Sequence, residues 1–361
     1  YYTEEFLFHL EECGEFDILS IYALEYAGNL ELHDKYEKAV FYYDKVLKYS
    51  KNNFIKAAIY AAKIYERLSD HKKSFEYFNK AREYAIKEND IETKVYTMIE
   101  MVIIQINSSI YITPQLENCL KNIRKDLDNM NAPLEEAYYN YALLLKYRTQ
   151  FKFELAVNSA QKAIEICKKN NIKEDIYGWI LLVLGTIYHK IFKFEKAEKL
   201  FSEALNIFLD NKNNNGIIGC KLLKTCIDFE KGYPIEVILD SYYRIEKLSR
   251  KIKLYKRLIC TLIYIAKLYI DEKQYEKAEE ELIKALNIER EENIDYYSVE
   301  LCTNLCIVYL GLGKLRLAIK YYSLIQQMKK TIQLVDDDIV DIYKTEALYN
   351  IFIFNTLFRT I

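Results

Sequence analysis

Cysteine and histidine are two residue types of this sequence whose side chains could bind a metal ion or act as a nucleophile or base. Cys302 and Cys306 stand four residues apart, so they would share one face of a helix. Zinc sites usually need four ligands, and neither a histidine nor a second cysteine pair accompanies these two. The four histidines form no HExxH or similar pair. We therefore predict that Cys302 and Cys306 pack in a core, and that the chain holds no metal and no cofactor.

The motifs of the common enzyme classes are missing from the sequence. There is no glycine-rich phosphate loop and no GxSxG nucleophile elbow. His189, beside Lys190, is predicted to be a surface residue and not a catalytic base. The basic run Lys247–Arg257 is interleaved with apolar residues at helical spacing, which indicates a solvated amphipathic face and not a contact with nucleic acid. We expect no enzymatic activity from this segment.

The composition favours long helices in a reducing compartment. The 361 residues are 51% apolar, and the 9 Gly and 3 Pro are too few for the many turns of a sheet protein of this size. The formal charge of −2 leaves no electrostatic footprint for nucleic acid. The uncharged stretches are too short or too polar to span a membrane, no signal peptide is visible, and the eight cysteines form no CxxC pair. These features predict a cytoplasmic protein with no membrane contact.

An internal repeat decides the architecture. Segments that begin with an aromatic residue or Leu, and carry Ala at regular later positions, recur along the chain. The clearest copy runs from Trp179 to Ala204 and includes Gly185, Phe194 and Ala197. The small residue on the first helix would let the second helix approach closely, and aromatic residues would fill the space between hairpins. This pattern matches that of tetratricopeptide repeats.

The spacing of the anchor residues recovers hairpins that the motif alone misses. Most successive anchors stand about 41 residues apart, or about twice that distance. The anchors are Ala39, Ser74, Ala156, Ala197, Ala278 and Ala318. The two double gaps place degenerate hairpins at Tyr96–Leu127 and Gly219–Leu248, where apolar residues recur with helical periodicity. The sequence therefore predicts an all-α, right-handed superhelical solenoid of about eight tetratricopeptide-type hairpins over residues 1–361.

Two further segments of the array are distinguished by composition. Asp210–Gly216 is the most loop-like part of the chain, and we predict a weak division into two lobes near 211–216. Asp336–Phe358 is predicted to form a C-terminal capping helix, because its acidic start suits the helix dipole. Within it, Leu348–Phe358 is rich in Leu, Ile and Phe, and would either form a homodimer contact or cap the last hairpin.

The first helices of the hairpins are expected to line an extended concave surface, because each hairpin contacts only its neighbours. Polar groups on this surface would bond the backbone or carboxylate of an extended peptide, and aromatic rings would accept its apolar side chains. Trp179 would alternatively pack between hairpins. Counting along each first helix predicts the peptide-binding residues Lys63, Arg67, Glu100, Asn107, Tyr141, Arg148, Trp179, Thr186, Lys267 and Asn304.

The long repeats, with a degenerate third and sixth hairpin, resemble the repeat domain of the peptide-pheromone (quorum-sensing) receptor regulators of Gram-positive bacteria. In that group such a domain binds a short secreted peptide in its concave face. It often follows an N-terminal helix-turn-helix, so the resemblance allows an N-terminal domain before residue 1, with DNA contact through that domain. One branch carries a phosphatase-like helical bundle that acts through a Gln. No Gln precedes Gln105 here, so that activity finds no matching residue.

Two functions remain open at the level of the sequence. The resemblance implies a ligand-sensing regulator, in which peptide binding shifts the array between open and closed states and controls a transcriptional or signalling output. The alternative is a constitutive adaptor that docks a protein partner without switching. An upstream helix-turn-helix would favour the regulator, and further plain repeats upstream would favour the adaptor.

Overall fold

The chain is all-α throughout the part that the structure describes. The computed structural model describes residues 2–33, 35–68, 70–108, 113–292, 294, 298–331 and 345. These residues form seventeen α-helices and no β-strand, which confirms the predicted fold class. The chain divides into two compact units, Tyr1–Gly216 (unit 1) and Ile217–Ile361 (unit 2). The capping helix predicted over Asp336–Phe358 lies outside the described residues, apart from the single residue Thr345.

The helices follow one another with short connections. In unit 1 they are α1 (Tyr2–Glu12), α2 (Phe16–Leu32), α3 (Tyr36–Tyr49), α4 (Phe54–Arg67), α5 (His71–Lys87), α6 (Ile91–Ser108), α7 (Pro114–Leu127), α8 (Pro133–Thr149), α9 (Phe153–Lys169), α10 (Asp175–Lys190) and α11 (Phe194–Asp210). The helix α12 (Asn214–Glu230) begins at the end of this unit. Unit 2 continues with α13 (Ile235–Lys251), α14 (Tyr255–Asp271), α15 (Tyr275–Glu291), α16 (Ser298–Gly311) and α17 (Leu315–Thr331). None of the described helices is long and apolar enough to cross a membrane.

After α1, the described helices pack in consecutive pairs, from α2 with α3 to α16 with α17. These pairs are the eight hairpins that the repeat spacing predicts. The two degenerate hairpins are present as well. Helices α6 and α7 cover most of Tyr96–Leu127, and α12 and α13 cover most of Gly219–Leu248. In the second of these, Ile218 and Leu222 of α12 share a buried cluster with Ile238 of α13.

The anchor residues lie in the cores of the hairpins. All six of them, from Ala39 to Ala318, are 0% exposed to solvent. On α11 the buried residues are Ala197, Phe201, Ala204 and Phe208, which recur every three or four positions and so share one helix face. Burying one Phe side chain contributes about 1.5–3 kcal/mol. The repeat motif is therefore the packing pattern of the hairpin core.

Three glycines of unit 1 make room for phenylalanine rings. A Cβ atom added at Gly185 of α10 would overlap the Phe201 ring of α11. A Cβ atom at Gly178 would lie 2.7 Å from Cε1 of Phe208, and one at Gly216 would overlap the same ring. Carbon atoms that are not bonded do not approach so closely, so a larger residue would force the ring to move. The small residue of the repeat thus has the predicted role of allowing close approach.

Several helices end on a residue other than glycine in the left-handed region of backbone conformation. These residues, with φ between 53° and 58°, are Asn89, Phe151, Asn171, Phe192, Lys212, Lys253 and Lys273. At the end of α10, the Phe192 amide donates to the His189 carbonyl (3.0 Å) and the Lys193 amide to the Tyr188 carbonyl (2.9 Å). This is the Schellman arrangement, which satisfies the last carbonyls of the helix. It shows how a chain with few glycines makes short turns.

The eight cysteines form no disulfide. Five of them are buried, namely Cys167, Cys220, Cys226, Cys302 and Cys306, whereas Cys13 is exposed. Burial raises the pKa of Cys302 and of Cys306 to about 12. The Cys306 thiol lies 3.5 Å from the carbonyl oxygen of Ala318. Cys302 and Cys306 therefore pack in the core of unit 2, as predicted. In the described part of the chain, no three His, Cys, Asp or Glu side chains are grouped so that they could hold a metal.

Candidate functional site

Unit 1 contains an open cavity of about 690 Å³. It lies where α6, α8 and α10 begin, and these are the first helices of three consecutive hairpins. Sites for small ligands typically enclose about 300–1,000 Å³, so the cavity has the size of a ligand site. The lining residues are Lys63, Asp90, Glu92, Thr93, Tyr96, Leu134, Glu135, Tyr138, Lys173, Glu174, Asp175 and Asn211.

Tyr96 and Tyr138 form the aromatic wall of the cavity. Their rings meet edge to face with the centroids 5.2 Å apart, and the Tyr96 hydroxyl donates to Oε1 of Glu100 at 2.6 Å. The Lys63 ammonium lies 5.4 Å from the centre of the Tyr96 ring, within range of a cation–π interaction. Burial raises the pKa of Glu100, although Lys63 and the Tyr96 hydroxyl oppose this effect. Burial also raises the pKa of both tyrosines, so their hydroxyls remain protonated donors at neutral pH.

Glu135, in the first turn of α8, is a buried carboxylate in the cavity wall. Glu135 is only 5% exposed to solvent. Burial raises the pKa of Glu135, the bond from its own backbone amide opposes this, and nearby Glu92 adds to the rise. Among the described residues, no lysine or arginine forms an ion pair with this carboxylate. The cavity wall therefore carries a buried acid without a basic partner.

Asp175, at the start of α10, is held by two asparagine side chains. Nδ2 of Asn211 donates to its Oδ1 at 3.1 Å, and Nδ2 of Asn213 donates to its Oδ2 at 2.5 Å. Asn211 also donates to the carbonyl of Lys173 at 2.8 Å, and Oδ1 of Asn213 accepts from the Gly216 amide at 2.9 Å. These bonds fix the turn after α11 against the start of α10. The two asparagines therefore orient the carboxylate of Asp175 through neutral hydrogen bonds.

Two of the ten predicted peptide-binding residues meet at this cavity. Lys63 lines it, and Glu100 lies directly behind Tyr96. Arg67, one turn further along α4, instead forms an ion pair with Glu31 at 2.6 Å. Its guanidinium is therefore engaged within unit 1.

The remaining predicted residues of unit 1 do not line the cavity. They are Asn107, Tyr141, Arg148, Trp179 and Thr186. The Trp179 ring lies 4.7 Å from the Phe208 ring, at an angle of 57°. The Thr186 hydroxyl donates to the carbonyl of Val183 at 2.7 Å. Trp179 thus contacts Phe208 of its own hairpin, whereas the alternative drawn from the sequence placed it between hairpins.

The two predicted residues of unit 2 both contact Glu300. The Lys267 ammonium lies 2.6 Å from Oε1 of Glu300, and Nδ2 of Asn304 donates to the Glu300 backbone carbonyl at 2.8 Å. Asn304 is also 4% exposed. The structure thus brings Lys267 and Asn304 together on neighbouring first helices, α14 and α16, with an acidic residue between them.

The residues that dominate the cavity are absent from the predicted set. Counting from the anchors selects side chains along the first helices, whereas the cavity forms at the starts of these helices. One signal was present in the sequence, because Glu92, Glu135 and Asp175 recur about 40 residues apart, which is the repeat period. Acidic residues are common in the first turn of any helix, where the helix dipole favours them. The recurrence alone therefore does not identify Tyr96, Tyr138 or Glu135 as site residues.

The sequence of the chain matches a known repeat in two places. The family model described as tetratricopeptide repeat matches residues 134–210, and a second model with the same description matches residues 264–292. These segments are tetratricopeptide repeats. The first contains Glu135, Tyr138 and Asp175, so half of the cavity is built on recognisable tetratricopeptide hairpins. No curated protein sequence matches the chain.

Solved structures share the tetratricopeptide solenoid fold. A Rap protein complexed with competence and sporulation factor has a TM-score of 0.60 at 16% identity, over 77% of this chain and 76% of that chain. NprR in complex with its cognate peptide NprX has a TM-score of 0.57 at 18% identity, over 74% and 78%. Aspartyl phosphate phosphatase F from Bacillus subtilis has a TM-score of 0.54 at 15% identity, over 75% and 70%. At these identities the likeness concerns the fold, and it confirms the predicted resemblance at that level.

Proposed function

We propose that this chain is a ligand-sensing tetratricopeptide domain that binds a short peptide in the cavity of unit 1 and controls a transcriptional or signalling output. The observation that carries this proposal is the cavity of about 690 Å³ at the starts of α6, α8 and α10. A ligand in this position contacts three consecutive hairpins at once. Its binding energy therefore depends on how these hairpins are arranged, which is the physical requirement for a sensor.

The chemistry of the lining suits a peptide. The rings of Tyr96 and Tyr138 offer apolar surface to a side chain, and their hydroxyls act as donors or acceptors. Oδ1 of Asn211 can accept from a peptide backbone amide, while its Nδ2 group already donates to Lys173 and Asp175. The NprR structure with its cognate peptide NprX has the same fold, which supports a peptide as the ligand.

Binding of linear peptides tests this proposal. Fluorescence anisotropy would be measured with labelled pools of random pentapeptides to heptapeptides. We expect saturable binding to the wild-type chain, with at least a tenfold loss in affinity for Tyr138→Ala, because the ring is a wall of the cavity. Lys173→Ala, at an exposed position of the cavity wall, is a second variant that leaves the core intact. Tyr243→Phe, on α13 of unit 2, is the matched control and should bind like wild type.

Sensing, as distinct from binding, requires a change in the protein. We expect a bound peptide to slow amide hydrogen exchange in α6, α8 and α10 beyond the residues that it covers, because contact with three hairpins favours one arrangement of them. Saturable peptide binding with exchange unchanged outside the cavity would contradict the sensor and leave peptide capture alone.

The constitutive adaptor remains a second candidate because of one observation in unit 1. Phe6 on α1 and Tyr22 on α2 are 43% and 44% exposed, and their ring centroids lie 5.2 Å apart. Exposed apolar side chains close together are typical of a surface that docks a protein. An adaptor that used this surface would bind its partner equally well with and without peptide. The comparison of partner affinity at zero and saturating peptide therefore separates the two functions.

A further inference from the structure

The charge of the cavity in unit 1 indicates what kind of ligand it accepts. Five carboxylates line it, against the two ammonium groups of Lys63 and Lys173. Three helix N-termini also point towards this region, and each carries about half a positive charge. These partial charges reduce the negative potential but do not reverse it, because they are smaller in total than the excess of carboxylates.

Glu135 is a second and independent indication that the ligand is a cation, because it is a buried carboxylate without a basic partner. The residue is 5% exposed and lines the cavity. The bond from its own backbone amide stabilises its carboxylate, and no described lysine or arginine pairs with it. A buried carboxylate without a cation is strongly disfavoured. A positive group that entered the cavity from solvent would supply the missing partner.

The aromatic wall is suited to the same kind of group. The Lys63 ammonium already lies over the Tyr96 ring, 5.4 Å from its centre. The face of a tyrosine ring attracts ammonium and guanidinium groups, and the attraction increases where water is excluded. Tyr138 lies edge to face against Tyr96 and lines the same cavity. A planar guanidinium could therefore contact a ring on its face while its N–H groups bond a carboxylate.

The geometry points to a cation-recognition site. We propose that the cavity of unit 1 selects an ammonium or guanidinium group, with Glu135 as its principal acceptor and Tyr96 and Tyr138 as the walls beside it. For a peptide ligand, which rests on the function proposed above, this means an Arg or Lys side chain. A small free amine would offer the same chemistry without a peptide backbone, so the two sources are separated by experiment.

The test uses four pools of acetylated and amidated pentapeptides, in which the central residue is Arg, Lys, citrulline or Glu and the other positions are uncharged. Citrulline has the shape of Arg without its charge. We expect the Arg or Lys pool to bind the full chain at least tenfold more tightly than the citrulline pool, which corresponds to about 1.4 kcal/mol. In Glu135→Gln, an isosteric variant, this preference should fall below twofold. Glu154→Gln, at an exposed position on α9, is the matched control and should keep the preference.

Each outcome of the pool experiment either supports or overturns cation recognition. Equal binding of the Arg, Lys and citrulline pools, or a preference that survives in Glu135→Gln, overturns cation recognition while leaving peptide binding in place. A preference for the Glu pool also overturns it and indicates that Lys63 and Lys173 receive an anion. If no pool binds, the peptide function fails, and titration with the free amine agmatine decides the inference alone. Agmatine binding that is lost in Glu135→Gln supports a cation site for a small molecule, and absence of agmatine binding overturns it.

Discussion

Gly185 and Gly28 are both helical glycines, yet they have opposite roles. A Cβ atom at Gly185 would overlap the Phe201 ring, whereas at Gly28 on α2 nothing lies within 4 Å. We expect Gly185→Ala to lower the free energy of unfolding of unit 1 by about 1–3 kcal/mol, because overpacking forces a ring to move. Gly28→Ala should raise it by up to about 1 kcal/mol, since Ala favours the helix. Urea unfolding followed by Trp179 fluorescence measures both. Equal changes in the free energy of unfolding for the two substitutions would contradict the close packing of Gly185 against Phe201.

Glu100 gives a pH dependence of stability whose sign follows from its burial. Burial raises the pKa of Glu100 in the folded chain, and Lys63 and Tyr96 oppose this only in part. The folded state therefore holds the proton more tightly than the unfolded state, and ionisation destabilises the fold as pH rises through the raised pKa. We expect Glu100→Gln to gain stability relative to wild type between pH 4 and pH 8, because Gln keeps the acceptor for Tyr96 but carries no charge.

Glu11 is the control of opposite sign. The Lys45 ammonium, bonded to it, lowers the pKa of Glu11 despite partial burial. Its ionised form stabilises the fold above the pKa of the unfolded chain, and this stability is lost as pH falls through the lowered pKa. Relative to wild type, Glu11→Gln should therefore lose stability at neutral pH and recover it in acid. The free energy of unfolding in urea would be measured against pH for Glu100→Gln and Glu11→Gln. If both variants change in the same direction with pH, the opposite pKa shifts of the two carboxylates are refuted.

At the scale of the helix, the ends of the hairpins hold residues in a backbone conformation that suits glycine. Lys273, between α14 and α15, has φ of 58° and is exposed. A residue with a Cβ atom pays about 1–2 kcal/mol for this conformation, so Lys273→Gly should stabilise unit 2 by about 1 kcal/mol. Lys277→Gly, in the first turn of α15, should destabilise it by about the same amount. Thermal unfolding followed by circular dichroism distinguishes them, and a loss of stability in both would contradict the expectation.

The helices could be predicted from the sequence because their signals are local and repeated. The anchor residues from Ala39 to Ala318 recur with the repeat period, and each is buried as the pattern requires. The same counting selects Lys63 and Glu100, of which Lys63 lines the cavity and Glu100 lies behind Tyr96. The cavity itself could not be predicted, because it is formed by side chains from several hairpins, and the distances between these hairpins are set by packing. Nothing near Tyr138 in the sequence indicates that its ring meets that of Tyr96.

At the scale of the whole molecule, the two compact units each have their own core. In unit 1, residues such as Phe201 and Phe208 are fully buried, and in unit 2 a cluster extends from Leu258 to Ile325. Arrays of repeats often unfold in more than one step. Trp179, the only tryptophan, lies in unit 1 and reports on that unit alone. We expect its fluorescence transition in urea to differ from the transition seen by circular dichroism.

A variant in unit 2 sharpens this expectation. A Cβ atom at Gly311 would lie 2.6 Å from the ring of Tyr275, so Gly311→Ala should destabilise unit 2. We expect it to shift the circular dichroism transition and leave the Trp179 transition in place, with Gly185→Ala shifting the Trp179 transition. If both probes move together in both variants, the chain unfolds as a single cooperative unit.

Because the thiols differ in burial along the chain, their rates of alkylation report how often each hairpin opens. A thiol reacts as its thiolate, and burial raises the pKa of Cys167, Cys220 and Cys302 to about 12, so these are unreactive while their helices are closed. Cys13, exposed between α1 and α2, should be alkylated at once. Each later alkylation, located by mass spectrometry, then times the opening of one hairpin. Comparison of the alkylation rates of Cys167 and Cys302 would show which of the two units opens more often in the native state.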